Sequence, residues 1–219
     1  MSDFFKSSIG RKVAMALSAI FLMIFLLQHF VINFLSVFSA ETFNNVSLFM
    51  GGNPLVQYVF QPILLFGVVF HFVMGFILEI RNNKARKISY VKNNGSANST
   101  WASRNMIYTG LVILAFLVLH FIDFWIPEIN HKYIAFLPED PTRYFPELQH
   151  KFENPIRVGA YVISFLFLML HLLHGFASSF QSMGVSTIRK KRLQSFGKAY
   201  AIIIPLGFIF IALYHYFNH

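Results

Sequence analysis

The sequence predicts an all-α, polytopic membrane protein with five transmembrane helices. Of its 219 residues, 56% are hydrophobic and only 12% are charged, and the mean hydropathy is +0.56. Five apolar runs are each long enough to cross the hydrocarbon core of a bilayer, which takes about 20 helical residues. A soluble domain of this length would carry about twice this share of charged residues, so the composition excludes one.

We expect one transmembrane domain over residues 1–219. A cleavable signal peptide is not expected, because the polar start MSDFFKSSIGRK leads into an apolar run that is too long for one. Pro205 lies within the fifth span and predicts a kink there. A short helix is expected near 146–152, in the long loop before the fourth span. The five predicted spans are about 13–38, 57–80, 105–126, 157–183 and 199–217.

The charges between the spans alternate. The first loop has Glu41 and no Lys or Arg, the second is strongly basic, the third is mixed, and the fourth is basic again over 189–198. By the positive-inside rule the N-terminus is cytoplasmic and the C-terminus is outside. This distribution explains the excess of 18 basic over 9 acidic residues without a nucleic-acid partner. The basic loops can instead meet anionic membrane lipid or a docked soluble protein.

Four of the nine histidines lie deep within separate spans: His29, His71, His120 and His171. An ionisable side chain at that depth costs about 2–3 kcal/mol or more, so it normally has a partner. One such histidine is as readily a hydrogen-bonding residue between helices as a ligand. Four of them, one in each of spans one to four, are hard to explain by packing. For His131, His150, His215 and His219 we expect solvated or interfacial positions.

Depth divides these four histidines into two layers. Counted along the helix to the nearest acid or proline of the outer loops, His29 lies at about 18 Å and His120 at about 12 Å. His71 and His171 lie deeper, at about 26 and 27 Å. A haem with two imidazole ligands needs histidines of equal depth on facing helices. The sequence therefore predicts an inner pair, His71 and His171, and an outer pair, His29 and His120.

Local sequence supports the same pairing. QHFVINF around His29 resembles LHFIDFW around His120, and FHFVMGF around His71 resembles LHLLHGF around His171. Gly75 and Gly175 follow the inner histidines by four residues, on the same helix face, and leave room for a flat group. This offset favours His171 over His174 as the ligand. Because the chain has no cysteine, each haem would be held without a thioether bond, as haem b.

Over nearly its whole length the chain resembles the single-chain cytochrome b membrane anchors of succinate dehydrogenases and fumarate reductases. The resemblance implies two b haems with His29, His71, His120 and His171 as axial ligands. It also implies menaquinone as electron acceptor, a bacterial inner (cytoplasmic) membrane, and flavoprotein and iron–sulfur subunits on the cytoplasmic face. Such a chain does not act on the dicarboxylate itself. The resemblance lies in the motifs QHFVIN, FMGGNP, HFVMG, LHFIDFW and HLLHGFASSFQSMG, the last of which also matches the family in Gly184.

Quinone-binding residues are expected near the outer pair. Some fumarate reductases of this family have a quinone-side glutamate in a region where this chain has Asn44, with Glu41 nearby. Among the polar side chains closest to the outer layer, we expect Glu41, Asn44 and Asp123 to contact the quinone. Asn33 lies in the same region, and Trp125 is available for stacking.

Four alternatives remain open at this point. The chain could serve a fumarate reductase working in reverse, or another quinone-linked enzyme such as a formate dehydrogenase or hydrogenase. A transporter using the histidines as a proton relay should carry acids along its spans, and only Glu79 and Asp123 appear, both near span ends. An anchor without cofactor is the fourth. A reduced-minus-oxidised visible spectrum separates the last two from the haem-binding functions.

Overall fold

The computed structural model describes residues 7–85, 105–184 and 187–218, with the side chains of 83, 85 and 187–190 excepted. The described residues confirm the predicted fold class, since most of them are helical and five of the helices are long and apolar enough to cross a membrane. The basic stretch from 86 to 104 and Lys6 lie outside the described residues. The five spans, numbered 1 to 5 in chain order, are Ser8–Leu35, Val56–Asn82, Met106–Ile134, Pro155–Ser182 and Lys191–Phe217.

Side-chain caps mark the N-terminal ends of spans 1 and 4. The Ser7 side chain accepts a hydrogen bond from the Gly10 N–H at 2.9 Å, so span 1 begins at Ser8 rather than at the predicted 13. Asn154 caps span 4 in the same way, accepting from the N–H groups of Ile156 and Arg157. Pro155 follows at the first helical position, where its missing N–H costs no hydrogen bond.

Span 3 does not end at 126 as predicted but continues to Ile134. Two π-helical turns widen it, so that the N–H of Ile126 bonds the carbonyl of Phe121. Pro127 and Glu128 suggested a helix end from the sequence, but Pro127 lies in the first turn of the segment that follows the π turn. Asp123 bonds Tyr161, and Glu128 is paired with Lys132 and Arg143. The segments of span 3 are Met106–His120, the π turn Phe121–Trp125, Ile126–Ile129 and the π turn Asn130–Ile134.

Spans 1 to 4 form a closed ring in which each span contacts the next and span 4 contacts span 1. Span 5 packs outside this ring, against spans 4 and 1. It belongs to a helix, Thr187–Phe217, that continues through Pro205. Glycine allows its close approach, because a Cβ at Gly197 would collide with the Phe176 ring and a Cβ at Gly207 with the Phe30 ring. The four histidine-bearing helices thus surround a common interior, and span 5 buttresses one side.

Two short helices cover one end of the bundle. Ala40–Gly52 follows span 1, Tyr144–Phe152 precedes span 4, and the two pack against each other. The second confirms the short helix predicted near 146–152. We call this the outer end, following the predicted orientation. A π-helical turn, Val56–Phe60, leads from there into the helix Gln61–Ala85 of span 2.

His215 corrects one sequence prediction. It was expected to be solvated or interfacial, but its side chain is 1% exposed. Its Nε2 lies 2.8 Å from the Ser36 hydroxyl, whose hydrogen is donated to the Asn33 carbonyl at 2.6 Å. Phe152 stacks on the imidazole with an interplanar angle of 13°. His215 therefore fastens the end of span 5 to the end of span 1.

Candidate functional site

The four mid-span histidines face each other as two pairs inside the ring of spans 1 to 4. The ring centres of His71 and His171 are 6.3 Å apart, and those of His29 and His120 are 5.8 Å apart. The structure thus brings together the partners that the depth count predicts. Among the described residues, these two pairs are the histidines whose rings contact each other. His174, half-buried on span 4, contacts no other histidine ring there.

Each pair occupies its own layer of the bundle. His71 contacts Ser18 on span 1, and His171 contacts Thr109 on span 3. Ser18 precedes His29, and Thr109 precedes His120, by the same eleven residues. Eleven residues of helix amount to about 16 Å along the axis. The inner pair therefore lies about one half of a bilayer core away from the outer pair, towards the end opposite the short helices.

Hydroxyl groups hold both imidazoles of the inner pair. The Ser18 Oγ lies 3.1 Å from His71 Nδ1 and donates its own hydrogen to the Met15 carbonyl at 2.8 Å. The Thr109 Oγ1 lies 3.1 Å from His171 Nδ1 and donates to the Met106 carbonyl at 2.8 Å. Both hydroxyls are buried, Ser18 to 9% and Thr109 to 2% exposure. Each hydroxyl is thus shielded from water and makes two hydrogen bonds, one to a backbone carbonyl and one to an imidazole.

Aromatic rings surround the outer pair instead. Phe25 stacks on His29 at 5.4 Å and Phe116 stacks on His120 at 5.7 Å, each from one turn earlier on the same helix. Phe208 of span 5 also contacts His29. Within the described part of the chain, His120 Nδ1 is buried and has no hydrogen-bond partner. The Asn33 amide nitrogen lies 3.4 Å from both ring nitrogens of His29. The outer imidazoles are therefore packed by aromatic rings, with an amide rather than a hydroxyl beside His29.

The spacing of both pairs fits a shared haem iron. An imidazole nitrogen binds a transition metal at about 2 Å and lies about 1 Å from its ring centre, so two axial imidazoles hold their centres about 6 Å apart. Both pairs have this separation. Across residues 7–85, 105–184 and 187–218, no three His, Asp or Glu side chains gather as they would around a bare metal ion. The donor set is thus two histidines per layer, as axial ligation requires.

Gly75 and Gly175 lie one turn beyond the inner histidines, each beneath a methionine. A Cβ at Gly75 would lie 3.7 Å from Met15 Cε, and a Cβ at Gly175 would lie 3.4 Å from Met106 Cε. Met15 and Met106 also supply the carbonyls that the two hydroxyls bond. Methionine is the most adaptable apolar side chain, so it can give way to a flat group at this position. The role of both glycines in haem packing stays a prediction.

Asp123 lies in a buried polar cluster near the outer pair. Its side chain is 2% exposed, and Oδ2 accepts a hydrogen bond from the Tyr161 hydroxyl at 2.9 Å. Arg157 Nε is 3.4 Å from Oδ1, close enough for an ion pair. Tyr161 also contacts the His120 ring. Asp123 thus connects the outer histidine layer to an arginine that is one third exposed at the outer end of span 4.

The other two predicted quinone residues lie in the helix Ala40–Gly52. Glu41 is exposed in its first turn. Asn44 is buried, donating to the Thr142 carbonyl at 3.2 Å and accepting from the Phe145 N–H at 2.7 Å. The Asn44 amide therefore clasps the loop that leads into the helix Tyr144–Phe152. Within the described part of the chain, no hydrogen bond or ion pair joins Glu41, Asn44 and Asp123 to one another.

An ion-paired network fixes the rest of the outer end. Glu128 bonds both Lys132 and Arg143, and Arg143 also bonds Glu147 at 3.0 Å. Burial opposes the charge of Arg143, but its bonds to Glu128 and Glu147 outweigh that effect and raise its pKa. Burial, and then the Glu128 charge, raise the pKa of Tyr144 to about 12. Lys132 and Arg143, both already ion-paired, also line a cavity of about 340 Å³.

Four residues of the site were not singled out from the sequence: Ser18, Thr109, Arg157 and Tyr161. A signal for the first two exists, since spans 1 and 3 align on their histidines. Both read Met-x-x-Ser/Thr, then six residues, Phe, three residues and His, over 15–29 and 106–120. Arg157 and Tyr161 contact Asp123 across the bundle and leave no comparable local pattern.

Comparison with known proteins shows a similarity that extends along most of the chain. The chain is 26% identical over 189 residues to the succinate dehydrogenase cytochrome b558 subunit of Bacillus subtilis (strain 168), covering 85% of each chain. The resemblance to such subunits is confirmed. No family model matches the chain, and no solved structure matches it. The similarity to a cytochrome b subunit agrees with the five apolar spans and the paired histidines.

Proposed function

We propose that this chain is the di-haem cytochrome b membrane anchor of a succinate dehydrogenase. In this role it passes electrons from an iron–sulfur subunit, through two b haems, to a quinone. The observation that carries the proposal is the two facing histidine pairs at the separation of axial ligands. The similarity to a succinate dehydrogenase cytochrome b558 subunit supports the choice of complex.

His71 and His171 would hold the inner haem, and His29 and His120 the outer one. Each bound haem supplies a centre that gains and loses one electron. The ring of four helices keeps the imidazoles facing each other, and the surrounding Phe side chains exclude water. Spans 1 and 3 carry the outer histidines and also the two hydroxyls that contact the inner histidines, so haems held in the two layers would give electrons a path within one bundle. Hydrogen bonding to the imidazoles that would hold the haems would then tune the two potentials.

The inner end of the bundle is the proposed docking face. Its exposed basic side chains include Lys12, Arg81, Lys84, Lys191, Arg192 and Lys198. By the positive-inside rule this end faces the cytoplasm of a bacterium, with the N-terminus there and the C-terminus outside. An iron–sulfur subunit carrying a flavoprotein subunit would bind here, next to the inner histidine pair. The remaining basic residues would contact anionic lipid.

Asp123 is the quinone residue that the contacts support best. It is buried beside the outer histidine layer, bonded to Tyr161 and near Arg157, so it could hold a proton for the reduced quinone. Asn44 already bonds two backbone groups, and Glu41 is exposed at the bundle surface. We retain menaquinone as the proposed acceptor, because the resembled family uses it. Trp125, two residues after Asp123, has a buried Nε1 without a hydrogen-bond partner among the described residues and is a candidate to stack on the quinone.

The function is tested by expressing the chain with its soluble partner subunits and then without it. With the chain present, succinate should reduce membrane-bound b haem and a menaquinone analogue, and both soluble subunits should sediment with the membrane. Without it, succinate oxidation should move to the soluble fraction and quinone reduction should cease. If quinone reduction by succinate were unchanged without this chain, the proposed function would be wrong.

A further inference from the structure

Two hydroxyl residues, Ser18 and Thr109, meet the inner histidines with matching geometry. Each lies on a neighbouring helix, eleven residues before an outer histidine, with its oxygen 3.1 Å from an imidazole Nδ1. Each donates its single hydrogen to the carbonyl three residues earlier, at 2.8 Å. The two arrangements come from different spans, and each faces a mid-span histidine through Nδ1. Ser36 makes a similar pair of contacts with the Asn33 carbonyl and His215, but there the nitrogen is Nε2 and the histidine lies at the end of span 5.

The direction of these bonds follows from the number of hydrogens available. A hydroxyl has one donor hydrogen and two acceptor lone pairs. Because the shorter bond, to the backbone carbonyl, takes that hydrogen, the oxygen is left to accept from the ring. Nδ1 must then carry the proton. In a neutral imidazole this leaves Nε2 without a hydrogen, as a metal ligand requires.

Other buried hydroxyls in the spans show that this is not a general property of their helices. Ser164 and Ser179 are also buried, and each donates to the carbonyl four residues earlier. Neither contacts a histidine in the described part of the chain. Helical serine commonly bonds its own backbone in this way without a further role. Ser18 and Thr109 differ from Ser164 and Ser179 because each also makes a second hydrogen bond, to an imidazole.

We infer that Ser18 and Thr109 are positioning residues of the inner haem, which set the Nδ1–H tautomer of His71 and His171 and present Nε2 to the iron. This inference rests on the proposed haem binding and deepens it. An acceptor on the distant ring nitrogen makes the imidazole a more basic ligand, and a more basic ligand favours ferric over ferrous iron. Removing the acceptor should therefore raise the potential of the inner haem and weaken its retention.

The decisive variant is Thr109→Val, which replaces the hydroxyl by a methyl group of nearly the same shape. The midpoint potential of the inner haem should rise, its low-spin ferric EPR signal should shift, and its loss to apomyoglobin should accelerate about 10-fold. The outer haem should keep its potential. Thr109→Ser should restore the wild-type values, and Ser18→Ala should reproduce the effect from the other side. The inner component is identified by its absence in His71→Ala.

Ser164→Ala serves as the matched control, because Ser164 is a buried serine that bonds only its own helix. It should leave both potentials unchanged. Unchanged inner potential and EPR signal in both Thr109→Val and Ser18→Ala would overturn the inference, as would an equal shift in Ser164→Ala. Loss of both haems together in Thr109→Val and Ser18→Ala would indicate general packing and overturn it as well. Failure of the proposed function is distinct, because the unmodified protein would then show no pair of haem components.

Discussion

The inner and outer histidine pairs have similar ring separations but different surroundings. Hydroxyls on neighbouring helices bond both inner imidazoles at Nδ1. At the outer pair, rings stack on the imidazoles, and a buried acid, tyrosine and arginine lie alongside. Hydroxyl groups rather than described acids bond the inner imidazoles, which suits the proposed role of the inner site as an electron relay. The outer surroundings offer groups that can exchange a proton, as quinone chemistry requires.

The largest expected effect is loss of a single haem. His71→Ala and His171→Ala should each remove the inner haem, because one imidazole alone leaves the iron without its second axial ligand. His29→Ala and His120→Ala should each remove the outer haem. Visible spectra at stepped potentials would follow each component. His174→Ala is the control and should keep both haems. Loss of the same haem component in the His29 and His71 variants would contradict the proposed pairing.

Asp123→Asn should give the next largest effect. The amide keeps a hydrogen bond to Tyr161 but can no longer take up a proton, and loss of a positioned acid–base group commonly costs 100-fold or more in rate. Quinone reduction by succinate should fall, while both haem spectra and reduction of a soluble artificial acceptor stay unchanged. Glu41→Gln, on the exposed side of the first short helix, should change quinone reduction far less. Equal losses in both variants would contradict the placement of quinone beside Asp123.

Asn44→Ala distinguishes a structural role from a quinone role. The substitution removes two hydrogen bonds and leaves the Phe145 N–H without its acceptor, at a cost of about 1–3 kcal/mol. The thermal unfolding temperature in detergent should fall, with quinone reduction per folded molecule preserved. A normal unfolding temperature together with lost quinone reduction would instead make Asn44 part of the quinone site.

Gly175→Ala should have the smallest effect on the protein and a selective one on haem. The added Cβ would meet only Met106 Cε, at 3.4 Å, so the protein alone can accommodate it. If the glycine packs against the haem, the inner haem should bind less tightly while the outer haem and the helix content are unchanged. Gly159→Ala on the same span is the control, because a Cβ there has nothing within 4 Å. Normal haem content in Gly175→Ala would assign the glycine to helix packing.

The fold could be predicted largely from the sequence, because hydropathy and charge act locally. The five spans and the short helix near 146–152 were predicted, whereas the end of span 3 and the early starts of spans 1 and 5, at Ser8 and Lys191, were not. In the sequence, the charges of Asp123 and Glu128 suggested that the chain reaches the aqueous phase at this point. In the structure Tyr161 and Arg157 surround Asp123, and Lys132 and Arg143 bind Glu128. Those partners come from other turns and other helices, so no local window of sequence contains them.

The site shows the same limit. The histidines and their pairing follow from depth along each helix, since depth is a local count. The bond between Ser36 and His215 joins residues 179 positions apart, and His215 near a span end was wrongly expected to be exposed. Ser18 and Thr109 are ordinary helix residues until the helices are assembled around His71 and His171. The helix-to-helix register that creates these contacts is a property of packing.

The haem content of the purified chain tests the account most directly. After expression with ample haem, acidic acetone extraction and the pyridine haemochrome assay should give two b haems per chain, because each ligand pair holds one without a thioether bond. A potentiometric titration should then resolve two components of different midpoint potential, reflecting the hydroxyl-bonded inner pair and the ring-packed outer pair. One haem per chain, or none, would contradict the account of two axial pairs.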